Sequence, residues 1–315
     1  MTFDRILVTG GAGFIGSHLV DALLENEVKV RVLDDLSSGS FANLTRWKNN
    51  RNMKVARGSV INYRKVRALA ENTDAIIHLA AVVSPVVSMR HPESTNSVNV
   101  AGTMNILRAG LAAETKRVVY ASSSSVYGNV PSHRISETAP LNPITPYGVS
   151  KLAAEKYCQA FYSAYGLSTV SLRYFNVYGE RQLSNPYSGV IAIFASRLFA
   201  GLRPQVYGDG KQIRDFIHVS DVVRATLLAL EENSVRGKTL NVGTGKPTTI
   251  NKLATTVAAL AGKRNTRPTY TAPRPGDIRK SCADISMATK VLGFRPKTTL
   301  RHGLRQLIES MRNQS

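Results

Sequence analysis

Short runs of aliphatic and β-branched residues alternate with longer stretches of helical periodicity through the first half of the chain. "RILVTG", "VKVRVLD", "MKVARG", "AIIHLAA" and "RVVYASSSS" predict strands, and the patterns from Phe14, near 62–70 and near 94–113 predict the helices between them. Such alternation marks right-handed βαβ units on a parallel sheet. A helix carrying "TPYGVSK" and the strand-like "STVSLRYF" continue the rhythm. After about residue 175 it loosens, and "GERQLSNPYSG", "GDGKQIRD" and "TAPRPGDIRK" read as binding loops. Helices predicted near 189–200, 219–231, 249–261 and 300–312 separate these loops, while "TLNVG" at 239 predicts a strand that rejoins the sheet. The expected architecture is α/β: a doubly wound parallel sheet over 1–175, with segments near 215–243 returning to it. A smaller α/β substrate domain lies mainly within 176–315.

Composition narrows the class. The chain has 315 residues, 43% hydrophobic and 20% charged, a globular balance that leaves no expectation of a long disordered region. Two distant cysteines, Cys158 and Cys282, fit a reducing compartment. "MTFDRILVTG" enters a strand with no cationic leader, and no stretch approaches the ~18 apolar residues of a membrane span. A cytoplasmic protein without a membrane partner is expected. Lys and Arg exceed Asp and Glu by 41 to 21, a net charge of +20. The basic residues are dispersed and form no long run or aromatic-interleaved signature, so nucleic acid is not expected as the main partner.

Three stretches carry chemistry. "VTGGAGFIGSH" sets Gly10, Gly11, Gly13 and Gly16 between a strand and a helix, where glycines allow a pyrophosphate to approach free N–H groups at the helix N-terminus. Asp34 follows 18 residues after Gly16, at the end of the second strand, and can accept from ribose hydroxyls. It would repel a 2′-phosphate, so the Rossmann-type half is expected to take NAD rather than NADP. Arg31 is near enough in sequence for a role beside that ribose. In "TPYGVSK", Tyr147 and Lys151 stand four apart on one helical face, where an ammonium favours the phenolate and would make Tyr147 a base. Alone, such a pair is more often an aromatic packed on an aliphatic stem. "ASSSSVYG" adds Ser122 to Ser125 at a strand end, with Ser123 lying 24 residues before Tyr147. Strand ends of parallel sheets face the ligand crevice.

With "TGGAGFIGSH", "HLAA", "NVAGT", "SSSSVYG", "PYGVSK", "RYFNVYG", "RDFIHV", "NVGTG" and "RPGDIRKSCADI" in order, the chain resembles the extended short-chain dehydrogenase/reductase family from Gly10 to about Pro296. Within it the chain looks most like the nucleotide-sugar 4-epimerases of UDP-hexoses and UDP-N-acetylhexosamines. The resemblance implies an NAD-dependent isomerase with Ser123, Tyr147 and Lys151 as catalytic residues, acting as a homodimer through a helical face. It places the cofactor on Gly10, Gly13, Phe14, Ile15, Gly16, Asp34, Ser59, Val60, Leu79, Ala80, Ala81 and Asn99, together with Tyr147 and Lys151. It places the UDP-sugar on Ser123, Ser124, Asn176, Val190, Tyr207, Arg214, Arg274, Asp277 and Ser281. Two arginines suit a diphosphate, an aromatic face suits uracil and a carboxylate suits ribose.

Two positions depart from the family pattern. Gly58-Ser59 stands where Gly-Asp commonly reads the adenine, which predicts a weaker contact there. Ser281 stands where a bulky tyrosine limits the C2 substituent, which predicts room for an N-acetyl group. Related 4,6-dehydratases and decarboxylases need an acidic residue just after the catalytic hydroxyl, and here Ser124 and Ser125 follow. A UDP-glucuronate 4-epimerase stays open as an alternative. A non-enzymatic NAD-sensing scaffold would be marked by loss of Ser123, Tyr147 or Lys151, and none is lost. His78 is expected to pack near the cofactor. His18, His91, His133, His218 and His302 show no ligand spacing, so no metal is expected.

Overall fold

A computed structural model of the protein describes residues 2–132, 134–182, 189–274 and 276–312, so His133 and the middle of the "GERQLSNPYSG" loop lie outside the described residues. Its strands are β1 (Arg5–Thr9), β2 (Lys29–Asp34), β3 (Met53–Arg57), β4 (Ala75–His78), β5 (Arg117–Ser123), β6 (Thr169–Tyr174) and β7 (Asn176–Tyr178). There follow β8 (Gln205–Tyr207), β9 (Ile213–His218), β10 (Thr239–Val242), β11 (Pro247–Thr249), β12 (Thr269–Thr271) and β13 (Lys280–Ser281). Seven of them form one all-parallel sheet in the order β10-β6-β5-β4-β1-β2-β3. The order reverses between β1 and β4, and the carboxyl ends beside that reversal are where open α/β sheets bind ligands.

The helices are α1 (Phe14–Glu25), α2 (Tyr63–Ala70), α3 (Pro85–Arg90), α4 (Pro92–Asn96), α5 (Gly102–Ala112) and α6 (Pro146–Tyr165). Later come α7 (Val190–Phe199), α8 (Val219–Glu231), α9 (Ile250–Leu260), α10 (Ser286–Leu292) and α11 (Leu300–Arg312). Leu19 and Leu23 of α1 and Val222 and Leu230 of α8 pack on one face of the large sheet with Ile6, Val8 and Ile77. Val66 of α2, Ile106 of α5 and Ala154 of α6 pack on the other with Leu7, Ile76 and Val118. Covered on both sides, β4, β5 and β6 are buried at every position; β4 and β5 read as runs without a period of two, whereas β6 alternates Val170, Leu172 and Tyr174 with the polar Thr169, Ser171 and Arg173. Edge strand β3 is largely exposed and carries Lys54 and Arg57, charges that discourage pairing with another chain.

The helix expected near 94–113 is interrupted: one π-helical turn, Ser97–Ala101, joins α4 to α5 and has Asn99 at its centre. The strand expected from "TLNVG" is β10, beside β6. Of the segment near 215–243, α8 and β10 pack on the large sheet. β9 instead pairs with β7, β11 and β13 in a smaller sheet. A third, two-stranded sheet joins β8 to β12.

Among the described residues, the Arg173–Glu155 ion pair lies fully inside. Arg173 of β6 donates through Nη2 to Glu155 Oε1 at 2.5 Å and through Nε to Oε2 at 3.0 Å, with side-chain exposures of 3% and 0%. Ser122 Oγ donates to Glu155 Oε2 at 2.8 Å, and Arg173 Nη1 donates to Tyr127 Oη at 2.8 Å. Tyr127 in turn donates to Asn241 of β10 at 2.7 Å, and Asn241 Nδ2 reaches the carbonyls of Ile135 and Asp284. Arg173→Met strands Glu155 as a lone buried carboxylate and is expected to cost about 3–5 kcal/mol of unfolding free energy in urea titration. Arg173→Met combined with Glu155→Gln is expected to lose less than Arg173→Met alone, because the stranded charge is gone.

Candidate active site

The glycine loop is shaped by close approach. Gly10 sits at φ +69°, and a Cβ on Gly16 would come within 2.0 Å of the Gly10 carbonyl oxygen. α1 begins after Gly13 with no side-chain cap, so the first-turn N–H groups of Phe14 and Ile15 keep their capacity for an anion. Asp34, at the end of β2, accepts from Ala12 N at 2.9 Å and Leu36 N at 2.8 Å, one bond per carboxylate oxygen. Each oxygen retains a lone pair for a ribose hydroxyl. Burial raises its pKa while those backbone N–H groups lower it. This cradle of glycine backbone, open helix terminus and carboxylate fits an adenine dinucleotide. Arg31 is directed elsewhere, donating to the carbonyls of Leu69 and Glu71 at the end of α2.

The other expected cofactor residues line the neighbouring strand ends. Gly58 N donates to the Asp34 backbone carbonyl at 2.8 Å, so Ser59 and Val60 follow directly after the carboxyl ends of β2 and β3. Leu79 N donates to Thr9 O at 3.1 Å and Ala80 N to Thr9 Oγ1 at 3.3 Å, which holds Leu79, Ala80 and Ala81 against the glycine loop. Asn99, 1% exposed, spends its amide on protein: Oδ1 accepts from Val82 N, and Nδ2 donates to Val82 O and to Ser150 Oγ.

"TPYGVSK" starts α6 as its proline suggests. Thr145 is the N-cap, accepting from Gly148 N at 3.2 Å, with Pro146 in the first turn. Tyr147 is buried, its N–H donating to Ser88 Oγ at 3.0 Å. Burial raises the phenol's pKa, and the hydroxyl of Ser123 beside it pulls the other way. Lys151 spends its hydrogen bond on the backbone of β5. Its Nζ donates to Ala121 O at 2.8 Å and lies 5.0 Å from the centre of the Tyr120 ring. Ser123 Oγ donates to Ser125 Oγ at 3.2 Å, Ser124 is half-buried beside it, and Ser122 turns inward to Glu155.

A second cluster lies on the smaller sheets. Arg214 of β9 donates to Asp277 Oδ1 at 2.5 Å, and Gln212 Nε2 donates to Asp277 Oδ2 at 3.1 Å. The Arg274 guanidinium stacks 3.7 Å from the centre of the Tyr207 ring. Ser281, 4% exposed, sits opposite Arg214 across the β13–β9 pairing. Asn176 opens β7 and Val190 opens α7, both half-buried. The two clusters meet through the turn after Arg274: a Cβ on Gly276 would lie 3.5 Å from Thr145 Cγ2, at the cap of the tyrosine helix. Gln212, Ser88 and Ser150 were not singled out from sequence; Gln212 had a cue in its place in "GDGKQIRD" and Ser150 in its place in "TPYGVSK". No group of three His, Cys, Asp or Glu side chains placed to hold a metal is found among the described residues. Among these residues, too, no helix is long and apolar enough to cross a membrane.

Known proteins are similar to this chain over nearly its whole length. The model of the NAD dependent epimerase/dehydratase family matches residues 6–243. The UDP-glucose 4-epimerase of Mycolicibacterium smegmatis is 39% identical over 99% of both chains. Among solved structures, the UDP-glucose 4-epimerase of Thermotoga maritima with UDP-glucose is 39% identical at a TM-score of 0.93, covering 98% of this chain and 99% of that one. The UDP-N-acetylglucosamine 4-epimerase of Methanobrevibacter ruminantium M1, in complex with UDP-N-acetylmuramic acid, is 36% identical at a TM-score of 0.95, with all of both chains covered.

Lys151 supplies a test of the buried pocket. Burial pulls its ammonium from the ordinary 10.5 down to about 7. A base with a depressed folded-state pKa costs most stability at or below the lower value, and the cost fades as pH rises toward the higher one. Lys151→Met is therefore expected to raise the melting temperature of the cofactor-free protein most below about pH 7, with the gain shrinking between about 7 and 10.5, as followed by circular dichroism.

Proposed function

The chain belongs to the NAD dependent epimerase/dehydratase family, and on that premise we propose that it interconverts UDP-sugars at C4 through a transient 4-keto sugar. The observation that carries this reading is the placing of Ser123 and Tyr147 at the carboxyl end of β5, next to an Arg214–Asp277 and Arg274–Tyr207 cluster suited to a uridine diphosphate. Similarity over the full chain to epimerases of UDP-glucose and UDP-N-acetylglucosamine supports the substrate class.

In this reading Asp34 and the N-terminus of α1 hold the dinucleotide. A nicotinamide held there would supply the hydride chemistry at C4. Tyr147 takes the proton of the C4 hydroxyl, and Ser123 steadies the oxygen as the charge develops. The protein must favour phenolate at a site whose burial alone favours phenol. Ser123 is the neighbour already placed to help. Arg214 and Arg274 meet the diphosphate as paired donors, Tyr207 offers its face to the base and Asp277 accepts from the ribose. Anchoring by the nucleotide leaves the sugar free to turn and present either face. Ser124 and Ser125 supply no carboxylate next to Ser123, and elimination chemistry is disfavoured accordingly.

Product analysis after incubation with UDP-glucose, UDP-N-acetylglucosamine and UDP-glucuronate tests the proposal. C4 epimers of the first two are expected with no net reduced cofactor; a 4-keto-6-deoxy or decarboxylated product would overturn it. Tyr147→Phe is expected to lower turnover by about a thousandfold or more with UDP affinity unchanged, because only the transition-state role is removed. In this reading the small, buried Ser281 stands beside the sugar's C2 group. Ser281→Tyr is expected to abolish turnover of the N-acetylated sugar while sparing UDP-glucose.

A further inference from the structure

A directed chain of hydrogen bonds runs through the interior from the glycine loop to the tyrosine helix, with His78 at its centre. His78 Nδ1 lies 2.6 Å from Thr9 Oγ1, the hydroxyl that accepts from Ala80 N. Its Nε2 lies 3.0 Å from Thr103 Oγ1, and Thr103 gives its proton to the Asn99 carbonyl at 2.6 Å. A threonine hydroxyl carries one hydrogen. Thr103 therefore accepts from Nε2–H, and Nδ1 accepts from Thr9, which leaves one neutral tautomer. Burial, and then the charge of Lys151, push the imidazole down to about 3, while the Tyr120 ring packs 5.7 Å away.

Beyond Asn99 the chain continues. Asn99 Nδ2 donates to Ser150 Oγ at 2.9 Å, and Ser150 donates to the Tyr147 carbonyl at 2.8 Å. Asn99 sits in the π-helical turn, a rare irregularity that recurs at functional sites. His78 thus joins three pieces that sequence keeps apart: the Thr9–Gly10 entry to the glycine loop, the Leu79–Ala81 strand end, and the Asn99 turn that bears on α6.

We propose that His78 is a positioning residue, whose Nε2–H tautomer sets the Asn99 turn and through Ser150 the place of Tyr147 relative to the cofactor loops. A buried histidine that only fills the core would need no fixed tautomer, and its loss would move stability without separating kcat from KM. The kinetic arm of the test rests on the 4-epimerase reading; the spectroscopic arm does not.

The cofactor-free protein labelled with 15N at histidine is expected to show His78 with Nε2 protonated, Nδ1 bare and no titration between about pH 8 and about pH 5. In the NAD-loaded protein, His78→Leu and Thr103→Val are expected to lower kcat about ten- to a hundredfold, the scale of a small misplacement of reacting groups. KM for the UDP-sugar should stay within about twofold, and the isotope effect with C4-deuterated substrate should rise. His78→Gln, which keeps a donor and an acceptor, should recover most of the loss. Thr103→Val keeps the packing volume and so carries the test if His78→Leu does not fold. An Nδ1–H ring, a ring that titrates in that range, an unchanged kcat in Thr103→Val, or kcat and KM falling in step with the melting temperature would each overturn the proposal. If the unaltered protein epimerises no UDP-sugar, the proposed function fails while the nitrogen spectrum still decides the tautomer.

Discussion

The ion pair between Glu155 and Arg173 governs how the tyrosine helix lies on the sheet. Tyr147, Lys151, Glu155 and Cys158 follow at steps of four, four and three along α6, one buried stripe of a single helix. Glu155 is held from β6 by two bonds of Arg173 and from β5 by Ser122. That clamp fixes both the rotation and the height of the helix, so Tyr147 and Lys151 come to rest at the carboxyl end of β5. A buried pair of this kind contributes little net stability once desolvation is counted, but removing either partner is expensive. Its value here is orientation. Arg173, Tyr127 and Asn241 carry the same constraint on to β10 and to the segment around Asp284, and so to the part of the chain that bears the arginine cluster.

Burial acts on Tyr147 and Lys151, two of the titratable groups of the stripe, in the same sense. It raises the phenol of Tyr147 and lowers the ammonium of Lys151, in each case toward the neutral form. Charge in this pocket has to be supported by what surrounds it. Ser123 lowers the phenol, and the Ala121 carbonyl takes the lysine's proton donor. The polar chain through His78 is neutral throughout, so it can hold Asn99 and Tyr147 in place without adding a charge that would shift either group.

The arginine cluster is organised differently, as side chains already paired with one another. Arg214 and Gln212 hold Asp277, and Arg274 covers Tyr207. These contacts satisfy the buried Gln212 and the half-buried Arg214, while Arg274 and Asp277 stay exposed. They also mean that a nucleotide must offer equivalent partners: phosphate oxygens for the guanidinium groups, hydroxyls for the carboxylate and a flat base for the ring. A ligand lacking any of these would break existing pairs without replacing them, which is a source of specificity.

Much of this was legible in the chain because it depends on local pattern. Strand and helix alternation, the glycine loop with Asp34 at the next strand end, the capped start of α6 and the return of Thr239–Val242 to the large sheet all follow from periodicity and turn chemistry, signals confined to about a dozen residues. Spacing also put Tyr147 and Lys151 on one face, but a face is not a rotamer. Only the packed sheet decided that Lys151 reaches Ala121 and that Arg31 leaves Asp34 for the end of α2. Nothing local tied Glu155 to Arg173, Gly276 to Thr145 or His78 to Thr103, and nothing local sent Ile213–His218 into the smaller sheet. Those pairings join residues distant along the chain, and hydrogen-bond direction and desolvation acquire a sign only when the chain's path has brought both partners out of water.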